Sequence, residues 1–163
     1  MKRGFSLIEL LIVISIIALL ACISIVGLRA GSQAHVRLEL DALHTACLYC
    51  QRCAQSTGQQ HILTIDLADN SYTYYGFAHK LARSVVFGCI PAVAGPPANP
   101  THAIENAITF ANHQIIFYPD GIVQSGSVYL TDTHKKVMYA LTSGVGEVSF
   151  LRKYSYNGAW KML

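Results

Sequence analysis

Hydrophobic residues follow two different patterns from the start of the chain to Thr57, and the first is an unbroken apolar run. Between Phe5 and Leu28 the only ionisable side chain is Glu9. A helix over these residues would be about 36 Å long, enough to cross a hydrocarbon core of about 30 Å. Lys2 and Arg3 precede the run, so the positive-inside rule places the N-terminus in the cytoplasm. The pattern predicts a transmembrane helix over residues 5–28.

The second pattern is a stripe along one side of a helix. No proline occurs from Ala30 to Thr57. Apolar residues recur there at spacings of three and four, which is typical of an amphipathic helix. Gly58 is a natural C-cap. The sequence therefore predicts that the helix continues over residues 29–57 and packs through Val36, Leu40, Leu43, Cys47, Cys50 and Ala54.

Residues 58–163 read as a β-rich domain, because short β-branched and aromatic runs alternate with turn sequences. Four of the five prolines lie in residues 91–100, which predicts a loop. The fold class is therefore α+β, a long N-terminal helix packed on an antiparallel β domain. The predicted strands are 61–67, 72–78, 84–90, 107–111, 114–118, 122–123, 127–131, 136–142 and 147–152, before a terminal hairpin through Asn157-Gly158.

Composition agrees with a folded protein that has a strongly apolar segment. Hydrophobic residues make up 52% of the chain and charged residues 13%, about half the roughly 25% of a typical globular domain. The mean hydropathy is +0.36. These values exclude intrinsic disorder.

The N-terminal residues also carry a family motif. Gly4-Phe5-Ser6-Leu7-Ile8-Glu9, followed by an apolar run, resembles the class III signal of type IV pilins and type II secretion pseudopilins. The resemblance implies that prepilin peptidase removes residues 1–4 by cutting after Gly4, that Phe5 is N-methylated, and that Glu9 acts in assembly with other pilin or pseudopilin subunits. In a filament, the amine of a neighbour's Phe5 would neutralise Glu9 in a medium of low dielectric.

Such a protein is anchored in the inner membrane by one helix, with its β domain in the periplasm, until it is extracted into a filament. A lipoprotein is an alternative, since Leu19-Leu20-Ala21-Cys22 resembles a lipobox with Cys22 as the lipidated residue. Hydrophobicity continues for six residues beyond Cys22, which argues against it. A secretory signal peptide does not fit, because it needs a shorter apolar core and a small-residue cleavage site, whereas this run is long and ends in Gly27-Leu28-Arg29.

A second, looser resemblance covers about residues 105–152. Phe117-Tyr118-Pro119-Asp120-Gly121, a strand over 125–130, and Gly146-Glu147-Val148 leading to Arg152 are similar to the C-terminal domain of the GspH/FimT family of minor pseudopilins and minor pilins. This resemblance implies a non-enzymatic assembly component of a type II secretion pseudopilus or a type IV pilus, with a place at the filament tip as one option.

DNA binding by a competence minor pilin is the main alternative. Aromatic residues lie among the basic residues near the C-terminus, a mixture that can bind phosphates and stack bases. Glu147 argues against it, because DNA-binding members tend to carry a basic residue there. Lysines that protect an edge strand from aggregation would give the same pattern. The candidate DNA-binding residues are Lys135, Lys136, Arg152, Lys153 and Lys161.

Cysteine spacing suggests a metal site that a helix cannot form. His44, Cys47, Cys50 and Cys53 have the spacing of metal ligands, but three-residue steps spread their side chains over about 180° of a helix. The sequence therefore predicts packing and no metal or other cofactor. Cysteine pairs within one helix have poor geometry for a disulfide, so the candidate disulfide joins Cys89 to Cys47, Cys50 or Cys53. Scattered histidines and the lack of a Gly-x-Ser-x-Gly motif give no support to an enzyme.

Overall fold

A long helix runs through most of the N-terminal third of the chain. The structure, a computed structural model, describes residues 7–96, 102–144 and 149–163, and within them the side chains of all residues except 21–32. Helix α1 (Leu7–Thr57) has 51 residues and is about 76 Å long at 1.5 Å per residue. It ends at Gly58, whose φ of +65° is the left-handed conformation of a C-cap. The last residue of the helix is Thr57.

The C-terminal part of α1 packs on the β domain through the stripe that its sequence predicts. All six stripe residues are at most 2% exposed. Arg37, Leu38 and Arg52, which lie off the stripe, are exposed. Because every third or fourth residue returns to the same side of a helix, this spacing gives one buried face and one solvated face. The stripe is Val36, Leu40, Leu43, Cys47, Cys50 and Ala54.

Two antiparallel sheets cover this face of the helix, as the predicted α+β class requires. The first sheet has the strand order β3-β2-β1-β5 and the second the order β4-β6-β7-β8-β9. A short 3₁₀ helix, Ala111–His113, leads into β5. The strands are β1 (His61–Asp66), β2 (Ser71–Tyr74), β3 (Phe77–Lys80), β4 (Val85–Phe87), β5 (Gln114–Phe117), β6 (Ser127–Asp132), β7 (Met138–Ser143), β8 (Leu151–Tyr156) and β9 (Trp160–Met162).

The predicted single strand over residues 72–78 is wrong, because it is a hairpin of β2 and β3. Tyr74 pairs with Phe77 across a turn of Tyr75 and Gly76. Both turn residues have positive φ, 46° and 81°, which a two-residue hairpin turn of type I′ requires. Tyrosine rarely takes this conformation, so Tyr-Gly is a much weaker turn signal than Asn-Gly.

Two further predicted strands are reduced to isolated bridges. Residues 107–111 contribute only a bridge from Ile108 to Val128, and residues 122–123 only a bridge from Val123 to Phe117. The prediction for 147–152 lies partly outside the described residues, and β8 begins at Leu151. The terminal hairpin is confirmed, since β8 and β9 flank Asn157-Gly158.

The core has one layer on each face of the second sheet. Leu130 and Tyr139 are cross-strand partners that belong to the cluster between α1 and the sheets. Their neighbours Tyr129 and Ala140 pack on the opposite face with Tyr154. Strand side chains alternate between faces, so burial on both faces explains why every residue of β7 is buried.

Candidate assembly and binding surfaces

The N-terminal part of α1 presents an exposed apolar surface, which we call the apolar half (residues 7–20). Its large apolar side chains are between 50% and 80% exposed. A contiguous apolar surface of this kind marks a site of interaction with protein or lipid. Glu9 is its acidic residue. The exposed apolar residues are Leu7, Ile8, Leu10, Leu11, Ile12, Val13, Ile14, Ile16, Ile17, Leu19 and Leu20.

Part of the predicted N-terminal site falls outside the described residues. Gly4 and Phe5, the residues of the predicted cleavage and methylation, belong to this part, as does the side chain of Cys22. Within the part of the chain that is described, no helix is both long enough and apolar enough to cross a membrane.

A buried glutamine fixes α1 to two loops of the domain. Gln51 is 8% exposed, and its Nε2 donates hydrogen bonds to the carbonyl oxygens of Gly121 at 2.7 Å and Ser149 at 2.8 Å. The bond to Gly121 satisfies the carbonyl group of a buried residue, which would otherwise lose its hydrogen bond to water, and the bond to the exposed Ser149 is part-buried. Sequence reasoning missed Gln51, because a polar residue beside an apolar stripe is normally solvated.

Two acidic residues of α1 bind one sheet each. The carboxylate of Glu39 accepts the backbone N–H of Ala82 at 3.0 Å and lies 2.9 Å from Nε2 of His79 in β3. Oδ1 of Asp41 lies 2.6 Å from Nζ of Lys153 in β8. The helix is therefore held to both sheets by polar contacts at its edges as well as by its apolar stripe.

The cysteines take structural positions. Burial raises the pKa of the Cys47 thiol, and it raises that of Cys50 to about 11, so both side chains are neutral packing groups. Within the described residues, no group of three or more His, Cys, Asp or Glu side chains could hold a metal ion.

The disulfide that the sequence made attractive is not formed in the structure. Cys47, Cys50, Cys53 and Cys89 are all free. Cys47 and Cys50 belong to the core cluster between α1 and the sheets. Cys89 packs against the cluster on the far face of the second sheet, with its Sγ 3.6 Å from the carbonyl oxygen of Ile104.

The structure does not bring the five candidate DNA-binding residues together. Lys153 faces α1 and binds Asp41. Arg152, the preceding residue, faces the other way, and its guanidinium lies 4.5 Å from the centre of the Phe150 ring. Lys161 pairs with Ser155, so it lies on the same face as Lys153. Lys135 and Lys136 are exposed in the loop between β6 and β7. Strand alternation separates residues that are close in sequence.

Comparison with known families finds a match at the N-terminus. Residues 1–25 match the family model of the prokaryotic N-terminal methylation motif. No curated protein and no solved structure matches the chain. The motif is typical of membrane-anchored pilins, which prepilin peptidase processes. Together with the helix that packs on antiparallel sheets, this match supports a type IV pilin-like or pseudopilin-like protein.

Proposed function

We propose that the chain is a minor pseudopilin or minor pilin, a non-enzymatic subunit of a type II secretion pseudopilus or a type IV pilus. The observation that carries the proposal is the apolar half of α1, which extends beyond the domain and begins inside the methylation motif. Prepilin peptidase would cut after Gly4 and methylate the amine of Phe5. The mature chain would then begin at Phe5, two residues before the apolar half.

The apolar half would have two successive surroundings. Before assembly it would lie in the inner membrane together with the rest of the uncharged run Leu10–Leu28, with the β domain in the periplasm. After assembly it would pack against the helices of neighbouring subunits. Both surroundings remove apolar surface from water, which contributes about 25 cal/mol per Å².

Glu9 would select the register of assembly. A carboxylate within a membrane-spanning helix costs about 2.5 to 3.5 kcal/mol and usually has a function. An ammonium group at Phe5 of the neighbouring subunit would offset this cost only when the two helices align. The proposed role of Glu9 is therefore to recruit the next subunit through its N-terminal amine.

Two substitutions separate processing from assembly. A bulky residue at Gly4 (Gly4→Leu) should leave the leader attached, which mass analysis of the N-terminus would show. Glu9→Ala should leave cleavage intact and lower the fraction of the chain found in sheared filaments. Ser15→Ala is the matched control, because Ser15 lies in the same apolar half and its hydroxyl donates only to the backbone oxygen of Leu11 in the same helix.

Two results would contradict the proposal. Normal incorporation of Glu9→Ala would remove the assembly role of that residue. A mature chain that begins at Cys22 and carries lipid would replace the pilin-like processing by lipoprotein processing.

A further inference from the structure

Three segments of the second sheet meet α1 where it enters the domain. The loop before β4 contacts the helix through Ser84, whose hydroxyl lies 3.0 Å from Nδ1 of His35. The β6–β7 loop lies beside Ser84 as well, because the N–H of Thr133 donates to the carbonyl oxygen of Ser84 at 3.1 Å. Both segments therefore surround the helix near residue 35.

The third segment is the terminal hairpin of β8 and β9. A cavity of about 380 Å³ is lined by Gln33 of the helix, Val137 at the end of the β6–β7 loop, and Trp160 and Lys161 of β9. The hairpin and the β6–β7 loop thus lie on either side of a cavity that reaches the helix. They share the end of the domain that faces the apolar half.

This end of the domain carries exposed cations, which we call the basal rim. Arg83 directly precedes Ser84, Lys135 and Lys136 occupy the β6–β7 loop, and Lys161 lines the cavity beside Gln33. All four side chains belong to exposed residues.

Acidic residues near the basal rim are engaged or lie on the other sheet. Asp132 is 2% exposed, and its carboxylate accepts the backbone N–H groups of Lys136 and Val137. Glu39, further along α1, binds His79. Asp66, the last residue of β1, and Asp69 in the β1–β2 turn are exposed. Asn70 of that turn is hydrogen-bonded to Val85 and Phe87 of β4, so the two carboxylates lie on the Arg83 side of the rim. With both carboxylates counted against the four cations, the rim keeps a net positive charge.

The basal rim lies close to the end of the uncharged run. Gln33 follows Leu28 by five residues, about 8 Å along a helix. The polar headgroup region adds several ångströms on each side of a hydrocarbon core of about 30 Å. If Leu10–Leu28 lies in the membrane, the cations of the rim are at the height of the phosphate groups.

We propose that the basal rim docks the β domain on the surface of an anionic phospholipid bilayer before assembly. The inference rests on the proposed membrane anchoring of α1. The positive charge of the rim is complementary to lipid phosphates, and each Lys or Arg near an anionic surface contributes about 1 kcal/mol. Docking would hold the domain in one orientation, and extraction into a filament would release it.

Trp160 reports the docking directly. It is the only tryptophan of the chain, and it lies next to Lys161 at the cavity. The full mature chain is reconstituted into vesicles of phosphatidylcholine with or without phosphatidylglycerol, both carrying a nitroxide quencher near the headgroup. We expect Trp160 fluorescence to be quenched more strongly in the anionic vesicles, and less as salt is raised.

Two double variants with the same change of charge test the location. Lys135→Glu with Lys136→Glu should lower the ratio of docked to undocked domain by at least about 30-fold, the effect of losing two cations at about 1 kcal/mol each. Arg52→Glu with Arg152→Glu is the control. Arg52 is nineteen residues beyond Gln33 on α1, about 28 Å away. The control should keep the quenching of the unchanged chain.

Each other outcome has a defined meaning. Equal quenching of Trp160 in neutral and anionic vesicles would overturn the docking. An equal loss of quenching in both double variants would overturn it as well. Flotation of the chain with vesicles tests the anchoring separately: a chain that floats without selective quenching refutes only the rim, whereas a chain that does not float refutes the anchoring as well. Binding of a labelled DNA duplex that the Lys135/Lys136 variant abolishes, without selective quenching, would assign the rim to nucleic acid instead.

Discussion

Helix α1 contains two regions whose leucines differ in burial: those of one are exposed in the single chain, and those of the other, the stripe, pack on the sheets. Leu11, in the apolar half, is 59% exposed, whereas Leu40, in the stripe that packs on the sheets, is 0% exposed. The two side chains have the same intrinsic hydrophobicity and the same helical backbone. Leu40 therefore stabilises the fold of the single chain, and the burial of Leu11 is left to an interaction outside it.

The two regions also use polar groups differently. Gln51 and Glu39 are bonded to loops and strands of the domain, so they fix how the helix lies on the sheets. The hydroxyl of Ser15 in the apolar half donates to its own helix. One region thus has contacts that specify a single packing arrangement, and the other has a surface suited to repeated contacts along a helix.

The sharpest test removes a leucine from each region. Leu40→Ala should lower the free energy of unfolding by about 3 kcal/mol, because it removes buried methyl groups and leaves a cavity. Leu11→Ala should change it by less than about 0.5 kcal/mol, as expected for an exposed site. Urea unfolding of the β domain, followed by tyrosine and tryptophan signals in detergent, measures both.

An exposed leucine of the domain-packed part provides a matched control. Leu38 is 65% exposed and lies two residues from Leu40, so Leu38→Ala should behave like Leu11→Ala. A loss at Leu38 as large as that at Leu40 would mean that helix propensity, not burial, explains the result. A large loss at Leu11 would break the division into two regions.

Thiol reactivity tests the burial of the stripe without a substitution. Burial raises the pKa of Cys50 to about 11, so only about 1 in 1,000 molecules is a thiolate at pH 8, against about 1 in 4 for an ordinary cysteine. We expect iodoacetamide to modify Cys50 at least about 200-fold more slowly in the folded chain than in urea at that pH. Mass spectrometry of the Cys50 peptide gives the rates.

The rate at which iodoacetamide modifies Cys50 should increase with pH. Because the thiolate is the reactive form, the rate in the folded chain should rise about tenfold per pH unit and level off only near pH 11. A rate that levels off near pH 8.5 would show that Cys50 is solvated and that the stripe is not closed around it.

The polar contacts of the packed region predict a smaller effect. Gln51→Ala should lower the free energy of unfolding by about 1 to 3 kcal/mol, since it leaves the carbonyl groups of Gly121 and Ser149 without their donor. Gln59→Ala is the control, because Gln59 is an exposed glutamine two residues beyond the end of α1. Equal effects at the two positions would remove the structural role assigned to Gln51.

The helix was the most predictable part of the fold. Its stripe follows from a spacing of three and four residues, and its end follows from Gly58, because both are local properties of the chain. The bounds of the short strands were harder. Residues 107–111 have strand-like composition, yet they form a single isolated bridge, from Ile108 to Val128 of β6, because strand pairing depends on residues distant in sequence.

The candidate sites show the same limit. Five basic residues near the C-terminus look like one cluster in the sequence, but the pairing of β8 with β7 and β9 decides which face each occupies. Lys153 is turned towards Asp41, which precedes it by 112 residues. No local pattern encodes that contact, and none encodes the hydrogen bond of Thr133 to Ser84 that brings the β6–β7 loop beside Arg83 in the basal rim.

The contact of Asp41 with Lys153 gives the smallest expected effect. Asp41→Asn should lower the free energy of unfolding by less than about 1 kcal/mol, because the two side chains are 43% and 26% exposed and water screens their attraction. The loss should shrink further as salt is raised from low to molar concentration. Urea unfolding at both salt concentrations measures it, with Asp69→Asn in the exposed β1–β2 turn as the matched control. A loss of several kcal/mol that does not depend on salt would mean that this ion pair is as strongly coupled to the core as Leu40, and the contrast between the edge and the centre of the helix contact would fail.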